Sequence, residues 1–195
     1  MSTEDDLVES LKEHYGAAAR KAARGAPVIE QGCGPAGGAT CGSGDGDAAE
    51  AFGVDMTDDM LELARANQAR AGVTNAEFLR GRIEEVPLPD RSVDVVESNC
   101  VINLSPDKDA VFTEAHRVLR PGGRLAVADV VADHDPEPGR PVDDAAWAAC
   151  TAGAVTRDSY RSQLEGAGFR DVEIVDSHAV AEGFWSVFVR AAKPT

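Results

Sequence analysis

From Ala51 to Val131 the chain alternates short β-branched runs with helix-patterned stretches, an order that builds parallel strands with helices packed on the sheet. Ala51–Asp55 reads as a short strand. Thr57 is expected to cap a helix that carries Asp58 and Asp59 in its first turn and closes at Gly72. Glu77–Arg80 is the next strand, and after Pro87 and Pro89 comes another over Ser92–Val96. Asp107 then leads into a helix with Val111, Phe112, Ala115, Val118 and Leu119 on one face. Pro121-Gly122-Gly123 is expected to end it before an apolar strand over Leu125–Val131. Further on lie a loop with Pro136, Pro138 and Pro141, an Ala-rich helix holding Trp147 and Cys150, and a helix over Arg157–Ala167 stopped by Gly168. Two strands finish the chain, Val172–Val175 and Phe184–Val189. Their connection is too short for a helical crossover, so they are expected to pair antiparallel.

The segment before Ala51 is different in kind. An amphipathic helix over Glu4–Arg24 places Leu7, Leu11, Tyr15, Ala18 and Ala22 on one face, and a Gly-rich stretch from Gly25 to Gly46 follows with Val28-Ile29 as its apolar patch. The division expected is therefore residues 1–50, a helix and a Gly/Cys-rich loop, and residues 51–195, a core domain.

Composition narrows the partners. A formal charge of −15 and a pI near 4.6 argue against nucleic acid and anionic membrane surfaces. No 18-residue apolar stretch occurs, and the first residues are acidic where a targeting segment is basic, so a cytoplasmic location is expected; a monomer is the expected state. In that reducing compartment the four cysteines are not expected to form disulfides. Cys33 and Cys41 stand eight apart and Cys100 and Cys150 stand alone, which fits no zinc pattern and leaves thiolate chemistry or a soft ion open. His14, His116, His134 and His178 show no ligand spacing either.

Cys100 stands out by position. It follows a strand at a strand-to-helix turn, where open α/β sheets bind ligands, although a free cysteine also serves as a small core hydrophobe. Glu97 is the oddest residue of that strand, since an unpaired carboxylate in a buried strand is costly.

The acid-tipped strand Gly53-Val54-Asp55 and the antiparallel ending together resemble a class I S-adenosylmethionine-dependent methyltransferase. The fold expected is Rossmann-like α/β, a mostly parallel doubly wound sheet with an antiparallel C-terminal strand and a truncated or degenerate N-terminal part. In such folds a carboxylate at the strand tip accepts hydrogen bonds from ribose hydroxyls. Asp55 is the candidate, the alternative being a helix N-terminal acid. Three runs make the resemblance specific. Gly53–Leu61, Ser98-Asn99-Cys100-Val101-Ile102-Asn103-Leu104-Ser105-Pro106-Asp107-Lys108 and Trp147–Ala154 resemble arsenite S-adenosylmethionine methyltransferases, as do His14-Tyr15-Gly16 and the Cys-rich run Gly32–Gly42.

The resemblance implies methyl transfer from S-adenosylmethionine to arsenite, taken as a thiol conjugate. Cys100 and Cys150 match the family's arsenic-binding cysteines, with Cys33 or Cys41 as stand-ins for a third. Soft thiolates suit trivalent arsenic and leave its lone pair free to attack, so that alignment rather than base catalysis carries the reaction. Asp55, Met56, Ile83, Glu84 and Asn99 fall where the family holds the cofactor.

One part of the family pattern is missing. A conserved cysteine, the first central strand and a Gly-rich cofactor loop normally precede the Gly-Val-Asp-Met strand, and here Gly44–Ala51 joins the flanking runs directly. A substitute can be read in Pro27–Gln31 running into Gly32-x-Gly34-x-x-Gly37, with Asp55 lying 23 residues beyond Gly32. Gly32 and Gly34 would then touch the cofactor. Two further functions stay open: a non-catalytic arsenical or soft-metal binding remnant, and a methyltransferase for another small molecule.

Overall fold

The computed structural model describes Glu9, Lys12, Glu13 and residues 50–135 and 151–195. They fall into two compact units, one ending at Arg82 and the other beginning at Ile83.

In the first unit β1 (Ala51–Asp55) pairs in parallel with β2 (Ala76–Arg80), joined by α1 (Asp58–Ala71). Gly72 ends α1 as expected, its φ of 68° being a conformation glycine adopts without a Cβ clash. Thr57 does not cap this helix with its side chain. Its hydroxyl turns back and donates to Asp55 Oδ1 at 2.7 Å.

The second unit holds β3 (Val93–Asn99), a 3₁₀ turn (Ile102–Leu104), α2 (Lys108–Val118), β4 (Leu119–Ala132), α3 (Arg157–Gly166), β5 (Arg170–Ala181) and β6 (Phe184–Ala192). Its sheet runs β3-β4-β6-β5. β3 and β4 are parallel, while β6 lies antiparallel to both β4 and β5, which bears out the expected antiparallel closing pair. The α/β class with parallel and antiparallel ladders is thus as the sequence suggested.

The register explains the core. Leu125, Val127, Asp129 and Val131 of β4 share a face with Val187, Val189 and Ala191 of β6, and all seven are buried. Val111, Phe112 and Ala115 of α2 and Tyr160 and Leu164 of α3 cover that face. Phe112 and Tyr160 meet edge to face at 5.2 Å. The predicted apolar face of α2 is therefore the one that packs.

Two expectations change. Helix α2 ends at Val118, because Leu119 turns to extended backbone, and Pro121-Gly122-Gly123 lies inside β4 rather than ending the helix. Gly123 has little choice there, since a Cβ would stand 2.9 Å from the Arg120 carbonyl oxygen. Glu97 is not a buried charge. Among the described strands β3 lies at the edge of its sheet, and Glu97, with Asn99, is exposed on it, so its carboxylate keeps its water.

Candidate active site around Cys100

The peptide that leaves β3 carries the candidate thiol on an unusual backbone. Cys100 has φ 53°, a left-handed conformation that costs a non-glycine residue about 1–2 kcal/mol. Its amide still donates to the Ala128 carbonyl at 2.8 Å, extending the parallel ladder by one bond. The chain then folds back at once, as Leu104 N–H donates to Val101 O at 3.0 Å and Ser105 N–H to Ile102 O at 3.1 Å. The thiol itself is half-buried.

Behind this turn lies a polar group in the core. Asp129 is 1% exposed and carries its carboxyl on the helix-covered face of β4. Asn103, with no exposure at all, donates its side-chain amide to Asp129 Oδ1 at 2.8 Å and to the Val130 carbonyl at 2.7 Å. The Val130 amide adds a second bond to Oδ1 at 2.9 Å, and Tyr160 points its hydroxyl at Oδ2 from 3.4 Å. Burial above all pushes the Asp129 carboxyl up to about 7; the Val130 amide, Lys108 and the Tyr160 hydroxyl oppose the rise, and the nearby Cys100 adds to it. Burial likewise raises the Tyr160 hydroxyl, with Asp129 adding to the effect. Lys108 is 8% exposed, although it opens a helix, and its ammonium donates to the Ser105 carbonyl at 3.3 Å.

The other side of the turn is closed by Gly153, where a Cβ would fall 2.0 Å from the Asn103 carbonyl oxygen. Ser105 donates to Glu84 Oε1 at 2.5 Å and receives the Asp107 amide at 3.1 Å, and Asp107 caps α2 by accepting from Ala110 N–H at 2.9 Å. Glu84 is therefore tied to the run that bears Cys100, and Ile83 beside it packs on the core.

Asp55 belongs to the first unit. It ends β1 half-buried, with Thr57 N–H and Thr57 Oγ1 both donating to its Oδ1 at 2.7 Å, and Met56 follows it half-buried. Asn99 is exposed at the end of β3. Gly32, Gly34, Cys33, Cys41 and Cys150 lie outside the described residues. Among the described residues no three His, Cys, Asp or Glu side chains gather as a metal site, and no helix is long and apolar enough to cross a membrane.

Sequence reasoning assigned no role to Asn103, Lys108, Asp129, Tyr160 or Gly153. Asp129 had a signal, being the one acid in the apolar run Leu125–Ala132.

Residues 22–168 match the methyltransferase-domain family. The chain is 46% identical over 123 residues to an arsenite methyltransferase of Halobacterium salinarum, covering 63% of this chain and 32% of that protein. It is 33% identical over 147 residues to a fatty-acid O-methyltransferase of Mycolicibacterium smegmatis, covering 74% and 53%. Among solved structures, an arsenic(III) S-adenosylmethionine methyltransferase from Chlamydomonas reinhardtii superposes with a TM-score of 0.56 at 32% identity, over 74% of this chain and 56% of that one. The chain thus spans about a third to about half the length of these two curated relatives.

Proposed function

The chain belongs to the methyltransferase-domain family, and from that premise we propose that it transfers the methyl group of S-adenosylmethionine to trivalent arsenic held by cysteine thiolates. The observation that carries the reading is Cys100, a thiol on a left-handed turn at the C-terminal end of a parallel strand. It lies inside the run Ser98–Lys108 that resembles the arsenite enzymes. The arsenite methyltransferase of Halobacterium salinarum, at 46% identity, supports the same substrate.

The chemistry assigns each residue a task. Arsenic(III) is soft, so Cys100 and Cys150 are its ligands, and Cys33 or Cys41 supplies a third thiolate. As each arsenic–sulfur bond forms, the arsenic–oxygen or arsenic–sulfur bond of the incoming arsenite species breaks, and the cysteine proton leaves on the displaced hydroxide as water or on the displaced thiolate as thiol. The pyramidal arsenic keeps its lone pair, and no side chain has to act as a base. When bound, S-adenosylmethionine supplies a sulfonium methyl group that accepts this lone pair as the carbon–sulfur bond breaks toward sulfur. The donor set suits that cofactor. Both described hydrogen bonds to Asp55 fall on Oδ1, which leaves Oδ2 for a ribose hydroxyl. Met56, Ile83, Glu84 and Asn99, with Gly32 and Gly34, are the further residues that the family resemblance assigns to the cofactor. Catalysis is then the alignment of arsenic with the methyl carbon.

A second reading, a non-catalytic arsenical-binding remnant, is favoured by one observation. Gly44–Ala51 joins the Cys-rich run directly to the Gly53-Val54-Asp55-Met56 strand, where the family places a Gly-rich cofactor loop. Titration calorimetry with S-adenosylmethionine separates the readings. Micromolar binding followed by methylation of arsenite supports the enzyme. A folded protein that binds arsenite but no cofactor is the remnant. Cofactor binding with arsenite affinity unchanged in both Cys100→Ser and Cys150→Ser turns the search to another methyl acceptor.

A further inference from the structure

We infer that Asn103 is the positioning residue that holds Cys100 in its left-handed conformation and so aims the thiol. The functional meaning of this clamp rests on Cys100 being the arsenic ligand proposed above.

The argument begins with distance along one strand. The Cys100 amide is pinned to the carbonyl of Ala128, and the Asn103 side chain is pinned to the carbonyl of Val130 and the carboxyl of Asp129. Ala128 and Val130 are two residues apart on β4, roughly 6.6 Å, whereas an extended path from Cys100 to Asn103 covers roughly 10 Å. The peptide between the two pins must therefore fold back. It does so in the 3₁₀ turn Ile102–Leu104, which Val101 enters at φ −101° and ψ −31°. The residue joining strand to turn takes the positive φ, and that residue is Cys100. Glycine, asparagine and aspartate are the usual occupants of such a position, so its strain is borne here by a residue whose side chain has another use.

The clamp is rigid because Asn103 is shut off from water. It is completely buried, and Gly153 lies against its carbonyl from the opposite side. The turn is thus held both by β4 and by the close approach of Gly153. Strained strand-to-helix turns that present a reactive side chain are a known device for nucleophiles.

A double-mutant comparison tests the clamp. Cys100→Ala and Cys100→Gly both remove the thiol, but alanine is strained at a positive φ and glycine is not. Their urea midpoints are compared in full-length protein with Asn103 intact and with Asn103→Ala, so that the unfolded-state effect of glycine cancels between backgrounds. With Asn103 intact, the Cys100→Gly protein has the higher midpoint. Without the clamp the turn relaxes and that gap closes. An equal gap in both backgrounds overturns the inference. Should Asn103→Ala not fold, the milder Asn103→Ser carries the same comparison.

Binding of phenylarsine oxide supplies the functional arm. Asn103→Ser is expected to weaken it roughly tenfold or more, with the number of titratable thiols unchanged, because a displaced ligand loses alignment before it loses chemistry. Unweakened binding overturns the aiming role. If the unsubstituted protein does not bind phenylarsine oxide while the glycine–alanine gap closes as expected, the arsenic reading falls and the clamp stands. Tight binding with a gap that persists removes the clamp alone.

Discussion

Gly153 lies so close to the Asn103 carbonyl that a Cβ built on it would stand 2.0 Å from the oxygen. The obstacle is backbone rather than a movable side chain, so any larger residue must displace the turn that follows Cys100. Gly153→Ala is expected to lower stability by about 1–3 kcal/mol, the range for an overpacked core. The urea midpoint measures this, and an unchanged midpoint would mean that the two segments separate freely.

The buried Asp129 carboxyl predicts a pH dependence. Burial pushes it from its ordinary 3.8 up to about 7, so the folded protein binds the proton more tightly than the unfolded chain. This contribution is fully present below about pH 4 and is lost as the pH rises through about 7. Asp129→Asn carries no such titration, so its midpoint should gain on the parent's across that interval. His116 works in the opposite sense. Its ring packs edge-on to Phe169, and burial, then Lys193 and Arg170, hold its pKa below the usual 6.5, so its contribution is lost as the pH falls below that value. Taking the difference between parent and Asp129→Asn cancels the histidine.

Asp55 allows a test confined to the first unit. Its carboxylate is oriented by two hydrogen bonds from Thr57. On the proposed function, Asp55→Asn weakens S-adenosylmethionine binding roughly tenfold or more, the effect of losing a charge-assisted hydrogen bond of about 1.5–3 kcal/mol. Thr57→Val, which leaves the charge but frees its orientation, should give a smaller loss in the same calorimetric titration. Equal affinity in Asp55→Asn and the parent would remove Asp55 from the cofactor site.

Arg117 fastens the loop before β3. Its guanidinium donates to Glu114 through Nε and Nη2 at 2.8 Å, to the Leu88 and Val86 carbonyls at 2.9 Å and to Asp90 at 2.7 Å. Lysine offers donors from a single point and cannot reproduce this fork. Arg117→Lys should cost about 1–3 kcal/mol and speed proteolysis between Val86 and Arg91. Glu114 adds an acid dependence. Arg117 holds its carboxyl below 4.5, so this contribution is present above that value and is lost as the pH falls through the lowered one. The Arg117→Lys protein should show a shallower acid slope.

Much of the local architecture was legible in advance. The αL stop at Gly72, the helix entered through Asp107, the apolar face of α2 and the antiparallel closing pair are where the pattern of nearby residues puts them. Thr57 was read for the right place and the wrong partner, because a hydroxyl two residues from a carboxylate can turn toward it as readily as toward the helix. Cys100 was visible from its motif, but its positive φ was not, since it depends on what Asn103 reaches 26 residues away. The place of Glu97 was misread for a related reason. A β-branched run signals a strand without saying whether that strand lies at the centre of a sheet or at its edge.

The sequence by itself determined the order of the described strands and helices, the stop at Gly72, and the runs that carry the family resemblance. Periodicity and capping are settled among residues within a turn or two of one another. Only the tertiary structure decided that Glu97 is exposed on β3, that Asp129 and Asn103 meet in the core, and that Gly153 closes on the Cys100 turn. Those outcomes depend on which distant groups share one buried volume, where a polar atom must find its partner in the protein because water is absent.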